Sequence, residues 1–345
     1  MKTKTLIFTL PKAIKTKQVV LALFFMVSLS VNACDICGCF MGITPYDNQS
    51  QISLLHRYRA FNGYRAYQQR SNMFAPGAYK VAHGDPHTSP GYIREYTSKD
   101  YESYKTYELR AKYFIHKRIE LNAILPFNHN KSKEDTLTSE TIGIGDPTFF
   151  IGYHLIRKIE ERKFQHRLIS GVGLKIPSGN YYAKNDLNER IPLLLQTGTG
   201  SVDYFAYLNY ILGYRKVGLS LNTMYKINGS NYYKEKIDNS LSGYFNLFLK
   251  LQVKKVLIIP SVQSYYEYTN GLLVNNVLQK GTKMNSLLLG PGLDFNYKNI
   301  GLNLGYQFRI FEETNTYNLQ NAGRFMIGLN YNFNQRKYIL GKKSK

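Results

Sequence analysis

From about residue 51 onward, apolar and polar residues alternate along the chain with a period of two. Between 217 and 227, Val217, Leu219, Leu221, Tyr225 and Ile227 share one parity, and Gly218, Ser220, Asn222 and Lys226 the other. At 301–310, Leu302, Leu304, Tyr306, Phe308 and Ile310 alternate with Gly301, Asn303, Gly305, Gln307 and Arg309 in the same way. The pattern returns at 325–333, from Phe325 to Phe333. Successive side chains of a strand point to opposite faces, so each segment has one apolar and one polar face. A tilted strand needs about 9–11 residues to cross a bilayer, whereas soluble strands average roughly 5–6.

Segments of this kind fall at 51–61, 105–115, 118–127, 144–156, 165–176, 201–212, 217–227, 240–252, 255–268, 285–297, 300–311 and 323–333. Short connections (His116-Lys117, 157–164, 213–216, Val253-Lys254, Lys298-Asn299) take turns with long ones (62–104, 128–143, 177–200, 228–239, 269–284, 312–322). An even strand number, with tight turns at one end and long loops at the other, is the outer-membrane plan with both termini periplasmic. The predicted fold class is therefore all-β: a transmembrane antiparallel up-and-down β-barrel of about 12 strands, spanning 51–333. A β-sandwich or propeller also alternates, but explains neither the segment length nor the short–long rhythm.

Parity assigns the lumen. Glu108, Arg110, Lys112, Glu120, Asp146, Lys175, Asp203, Lys226, Glu267, Asp294 and Arg309 should point inward, with both signs in similar number. Tyr207, Tyr244, Phe150, Phe205 and Tyr265 share that face. Asp146, Lys175 and Asp203 fall near the outer mouth, where opposite charges on neighbouring strands can pair and brace the rim. The alternative is contact with a passing solute, for which Asp146, Lys175, Asp203, Arg309, Tyr207 and Tyr244 are the candidate residues.

Composition fits this picture. There are 30 Tyr, 19 Phe and no Trp, and tyrosine suits strands and membrane–water interfaces because its ring is apolar while its hydroxyl stays wet. A mean hydropathy of -0.33 argues against a helical membrane protein but not against a barrel, whose two faces average out. The formal charge is +22. Nucleic acid is the usual partner of so basic a chain, but the cations are scattered through turns and loops without a recognition helix or stacking motif. Outer-membrane lipids are the expected surroundings instead.

Residues 1–33 carry Lys2, Lys4, Lys12, Lys15 and Lys17 without an acid, then the apolar run Val19–Leu29, then Val31-Asn32-Ala33. That order is a secretory signal peptide, and its apolar run is too short for a membrane helix. Residues 34–50 form a periplasmic N-terminal segment holding all three cysteines, Cys34, Cys37 and Cys39. Three roles are open: lipidation of Cys34 behind a weak lipobox, a soft-metal site on the CxxCxC triad, or a Cys34–Cys37 disulfide. The second makes a metal-binding or anchoring protein, with the barrel as its platform, the alternative function. His83 and His87 in the long first loop add little to it, since the pair is not on a helix. A hydrolase would need a Ser/His site. His154 and His166 are the available histidines, and no serine or acid stands at a persuasive spacing.

The segment 143–203 resembles the outer-membrane protein family named for the meta-cleavage pathway of phenol degradation. The resemblance rests on Gly143-Ile-Gly145-Asp146, on Gly171-Val-Gly173-Leu-Lys175-Ile-Pro177-Ser-Gly179-Asn180, and on Thr197-Gly198-Thr199-Gly200-Ser201-Val-Asp203. It extends more loosely over 140–333. It implies a transport function for a small solute, hydrophobic or aromatic as the family name suggests. Gly328-Leu-Asn-Tyr331-Asn-Phe333 resembles the terminal signal by which barrels reach the outer-membrane insertion machinery, although a basic tail, 334–345, follows it.

Overall fold

The structure, a computed structural model, describes residues 49–64, 99–134, 137–158, 164–279, 282–313 and 319–333. The expected signal peptide, the Cys34–Cys39 triad, His83, His87 and the basic tail lie outside the described residues.

The wall is built from β1 (Ser50–Tyr64), β2 (Tyr101–His116), β3 (Ile119–Glu134), β4 (Leu137–Ile144), β5 (Thr148–Lys158), β6 (Gln165–Lys175), β7 (Asp203–Tyr214) and β8 (Val217–Ile227). It continues with β10 (Ser240–Leu249), β12 (Val256–Thr269), β15 (Met284–Tyr297), β16 (Ile300–Glu313) and β17 (Leu319–Phe333). Each wall strand pairs antiparallel with the next, β10 with β12, and β17 returns to β1 from Ser50↔Phe333 to Tyr64↔Leu319. β4 and β5 both pair with β3 and form one wall strand interrupted at Gly145-Asp146-Pro147. The sheet thus closes as a barrel of 12 strands, and closure leaves no edge.

The predicted segments match these strands, with one correction at the loop end and one at the turn end. The long loop expected at 128–143 is strand: β3 and β4 pair from Phe127↔Ile144 up to Glu134↔Leu137. The segment expected at 240–252 breaks at Lys250, beyond which the short β11 (Leu251–Val253) pairs with β12. Two of the long loops are structured. β9 (Glu235–Ile237), β13 (Leu272–Val274) and β14 (Val277–Leu278) form a small sheet of their own.

Burial is inside-out relative to a soluble protein. Among the described residues, more polar and charged side chains than apolar ones are buried. Outward positions of the same strands leave Leu54, Leu109, Leu125, Ile151, Leu221, Leu247, Val262 and Leu329 exposed over a continuous wall. So large an apolar surface requires a lipid environment.

The tight turns are two-residue loops closed by Tyr214↔Val217, Val253↔Val256 and Tyr297↔Ile300. Their first residues, Arg215, Lys254 and Lys298, each adopt φ 52°, a left-handed conformation that costs a residue other than glycine about 1–2 kcal/mol. Turns of this hand match strand twist, which offsets part of that cost.

Candidate functional site: the barrel lumen and its rim

The inward side chains of β1 follow the axis of the lumen from the turn end to the loop end. Gln51 and Ser53 face a small cavity of about 60 Å³, which Lys112, Asn122, Asn303 and Asn330 also line. Above it lies an apolar layer. Leu55 packs with Tyr244, Tyr265, Leu288 and Met326, and Phe150, Ile169, Phe205 and Tyr207 form a second group. Met224 touches both groups, so the layer is continuous across the lumen.

Glycines set the depth of the second group. A Cβ on Gly171 would lie 2.4 Å from the Tyr207 ring, and one on Gly173 2.3 Å from Phe205. Those rings therefore pack directly on the backbone of β6, with Phe150 edge-on to both at 5.8 and 5.5 Å.

Charge is layered over this floor. Arg57 and Arg110 both pair with the buried Glu108. One step higher, Arg59 pairs with Glu267, whose Oε1 also accepts a 2.7 Å hydrogen bond from the Ser286 hydroxyl. Arg324 stacks over the Tyr265 ring at 4.2 Å and Arg59 over Phe61 at 4.8 Å. Toward the turn end, on the strands that flank β1 and β2, His154 and Glu120 pair at 3.1 Å and Asn303 donates to Asp294 at 2.7 Å. Buried ions persist only when paired and hydrogen-bonded, and the Arg59–Glu267 pair joins β1 to β12, far apart in sequence.

The rim is a clamp made from the three motifs. Lys175 reaches Asp146 at 3.0 Å and Asp203 at 2.7 Å, and Lys226 joins Asp203 at 2.9 Å. Asp146 also accepts from the Gly179 and Thr199 amides at 2.9 and 2.8 Å and from the Thr199 hydroxyl at 3.0 Å. Asp203 accepts from the Ser201 hydroxyl and the Gly229 amide. One carboxylate on each side thus ties a loop to the lysine in the middle. Gly179 and Gly198 bring two loop backbones so close that a Cβ on Gly179 would sit 2.7 Å from the Gly198 Cα. Gly200 turns the chain into β7 at φ +70°.

Above the clamp, loop 176–202 packs down on β3 and β4. Asn130 donates to the Leu195 carbonyl at 3.1 Å, as does Thr141, and Asn128 to Thr197 at 2.9 Å. Leu193 and Ile237 bury against Tyr181, Leu194, Leu272 and Met284, which joins three loops in one cap. Arg190 fastens it: its guanidinium donates to both Glu235 oxygens at 2.7 and 2.6 Å and to the Tyr181 carbonyl, and stacks on Tyr233 at 4.1 Å. Burial raises the Glu235 carboxyl, but hydrogen bonds from Arg190 and Asn231 more than offset it and hold its pKa below the ordinary carboxylate value.

Of the residues the sequence assigned to the lumen, Glu108, Glu120, Asp146, Lys175, Asp203, Lys226, Glu267 and Asp294 are buried, as are Tyr207, Tyr244, Phe150, Phe205 and Tyr265. Arg309 is half-buried at a bulge and bonds Glu312 at 3.1 Å. His154 and His166 stand apart: His166 contacts the Tyr210 hydroxyl at 2.8 Å. Arg57, Arg59 and Arg324 were missed. The same parity rule places them inward, two positions along from Leu55, Arg57 and Met326 respectively.

A family model described as "Putative MetA-pathway of phenol degradation" matches residues 102–326. Among solved structures, an outer membrane channel from Pseudomonas putida F1 aligns at 14% identity and TM-score 0.58, covering 85% of this chain and 100% of that one. The β domain of the Bordetella autotransporter BrkA aligns at 8% identity and TM-score 0.43, covering 83% and 100% respectively. No curated protein matches the sequence.

Proposed function

Because this chain belongs to the phenol-degradation family just described, we propose that it is an outer-membrane channel for small solutes, including those with an aromatic or hydrophobic part. The observation that carries this reading is the stratified lumen: a floor of Tyr207, Tyr244, Tyr265 and Phe205 under a storey of paired arginines and carboxylates. A wall needing only stability would fill its interior with apolar side chains, since replacing a buried ion pair by hydrophobic residues is often neutral or stabilising. An amphipathic lumen instead offers ring-stacking surfaces and hydrogen-bond donors to a solute with an apolar body and a polar head. Asp146, Lys175 and Asp203 act at the rim as a brace, and Tyr207, Tyr244 and Arg309 stand along the path. The turn end faces the periplasm and the loop cap faces outward in this reading, as in other outer-membrane barrels.

The chain works by passage rather than by catalysis; its lumenal histidine, His154, is tied to Glu120 and packs on Phe114. Purified protein in proteoliposomes tests the proposal with 4-hydroxybenzoate, an aromatic probe whose charge slows leakage through lipid, and with glucose as a non-aromatic control. Entry of 4-hydroxybenzoate severalfold above empty liposomes is expected, with a smaller gain for glucose. Entry at the empty-liposome rate for both probes would sink it.

A further inference from the structure

The two ends of the barrel carry charge differently. In the loop cap the signs are mixed: Lys184, Arg190, Lys234 and Lys236 stand among Asp186, Glu189, Glu235 and Asp238. At the turn end, four tight turns carry Lys117-Arg118, Arg215-Lys216, Lys254-Lys255 and Lys298, and every one of these cations is exposed. None of these four turns contains an acid. Glu120 and Asp294, the acids that stand close to these turns along the chain, are buried in the lumen on His154 and Asn303. The fifth connection, 157–164, is mixed in sequence, with Glu160 and Glu161 among Arg157, Lys158, Arg162 and Lys163, so the ring rests on the other four.

Position in the wall says what this ring faces. Directly beside the turns, the outward residues Tyr214, Val217, Val253, Tyr297 and Ile300 are exposed apolar or aromatic side chains. They mark the edge of the lipid-facing band. Arg215 lies over the Tyr214 ring at 5.3 Å and Lys298 over Tyr297 at 5.4 Å, so the cations sit at headgroup depth. Conformation supplies a second observation. Arg215, Lys254 and Lys298 each occupy the left-handed position of a two-residue turn, which asparagine or glycine would take with less strain. In three separate turns a cation stands where the backbone favours something else.

We propose that the turn end is a binding ring for anionic phospholipid headgroups, whose phosphodiesters would be held between the turn cations and the aromatic edge of the wall. A partner protein would meet one side of the barrel, whereas these cations recur in turns between β2 and β16 and follow the band as lipid does. Anionic surfaces attract such juxtamembrane cations, and salt weakens the attraction.

The full chain and an Arg215→Asn/Lys254→Asn/Lys298→Asn variant would be reconstituted in phosphatidylcholine vesicles containing about one-fifth phosphatidylglycerol. Lipids retained after mild extraction are then counted by native mass spectrometry. The variant removes charge at positions that suit asparagine, so it should fold; heat-modifiable gel migration checks this. A charge-keeping set, Arg215→Lys/Lys254→Arg/Lys298→Arg, controls for disturbance of the turns. Expected is retained phosphatidylglycerol severalfold above its bulk share for the wild type and the charge-keeping set. The asparagine variant should fall by roughly threefold or more, and added salt should lower the wild-type value. A wild-type share equal to bulk, or an asparagine variant equal to wild type, overturns the proposal. So does a wild type at bulk share that captures soluble polyglutamate, which would assign the ring to an acidic polymer.

Discussion

Lys175 is the residue on which the rim depends, since it is buried between Asp146 and Asp203 and shares the latter with Lys226. Lys175→Met leaves two carboxylates facing one lysine. Removing one partner of a buried ion pair costs about 3–5 kcal/mol. The urea midpoint of the refolded barrel in detergent should fall accordingly, and unchanged stability would show that the clamp does not stabilise the barrel. Much of this site is legible residue by residue, because period-two parity places Asp146, Lys175 and Asp203 on the polar face. The amides that Asp146 caps, at Gly179 and Thr199, are not legible, because they depend on where a loop returns in space. The ring contacts of Phe205 and Tyr207 are half-legible: the glycines are visible in the sequence, but the aromatics they admit follow only from the β6–β7 register, which sets Gly171 opposite Tyr207 and Gly173 opposite Phe205.

Among the elements, the β3–β4 hairpin shows where pattern reading stops. Its sequence, from Asn128 through Lys133 and back from Thr138, is polar at both parities. Alternation marks a strand only while one face meets lipid or core, and beyond the bilayer both faces can be wet. The loop cap is likewise a product of contacts between distant segments, of which Arg190–Glu235 is the fastening. Arg190→Ala should expose loops 176–202 and 228–239 to protease while leaving the barrel fragment intact. Acid should do the same to the wild type. Because the folded Glu235 pKa lies below its ordinary value of 4.5, its contribution is present above that value and is lost as pH falls through the lower, folded one. Limited proteolysis across pH 5 to pH 3 would read this as cap loops becoming cleavable at the acid end, and cleavage independent of pH would contradict it.

For the whole molecule, the distribution of charge decides more than its sum. The formal +22 suggests a polyanion partner until the lumen is seen to hold both signs in pairs and the surplus to lie outside it. The buried polar interior and exposed apolar wall fix a membrane barrel from physical chemistry alone, and the match over 102–326 places it in a family. What the sequence leaves open is how wide the path is, because lumen width depends on side chains meeting across the barrel. Here those side chains are the aromatic floor, in which Tyr207 is buried between Phe150 and the glycines of β6, and Tyr244 against Tyr265. The most direct test is single-channel conductance in planar bilayers of the wild type and of a Tyr207→Ala/Tyr244→Ala variant. Removing two rings from the floor should give the variant conductance steps at least about twofold larger than the small wild-type steps, as expected where side chains fill the lumen of a narrow barrel. Silence of both proteins at every voltage, or steps of identical size, would contradict a channel narrowed by that floor.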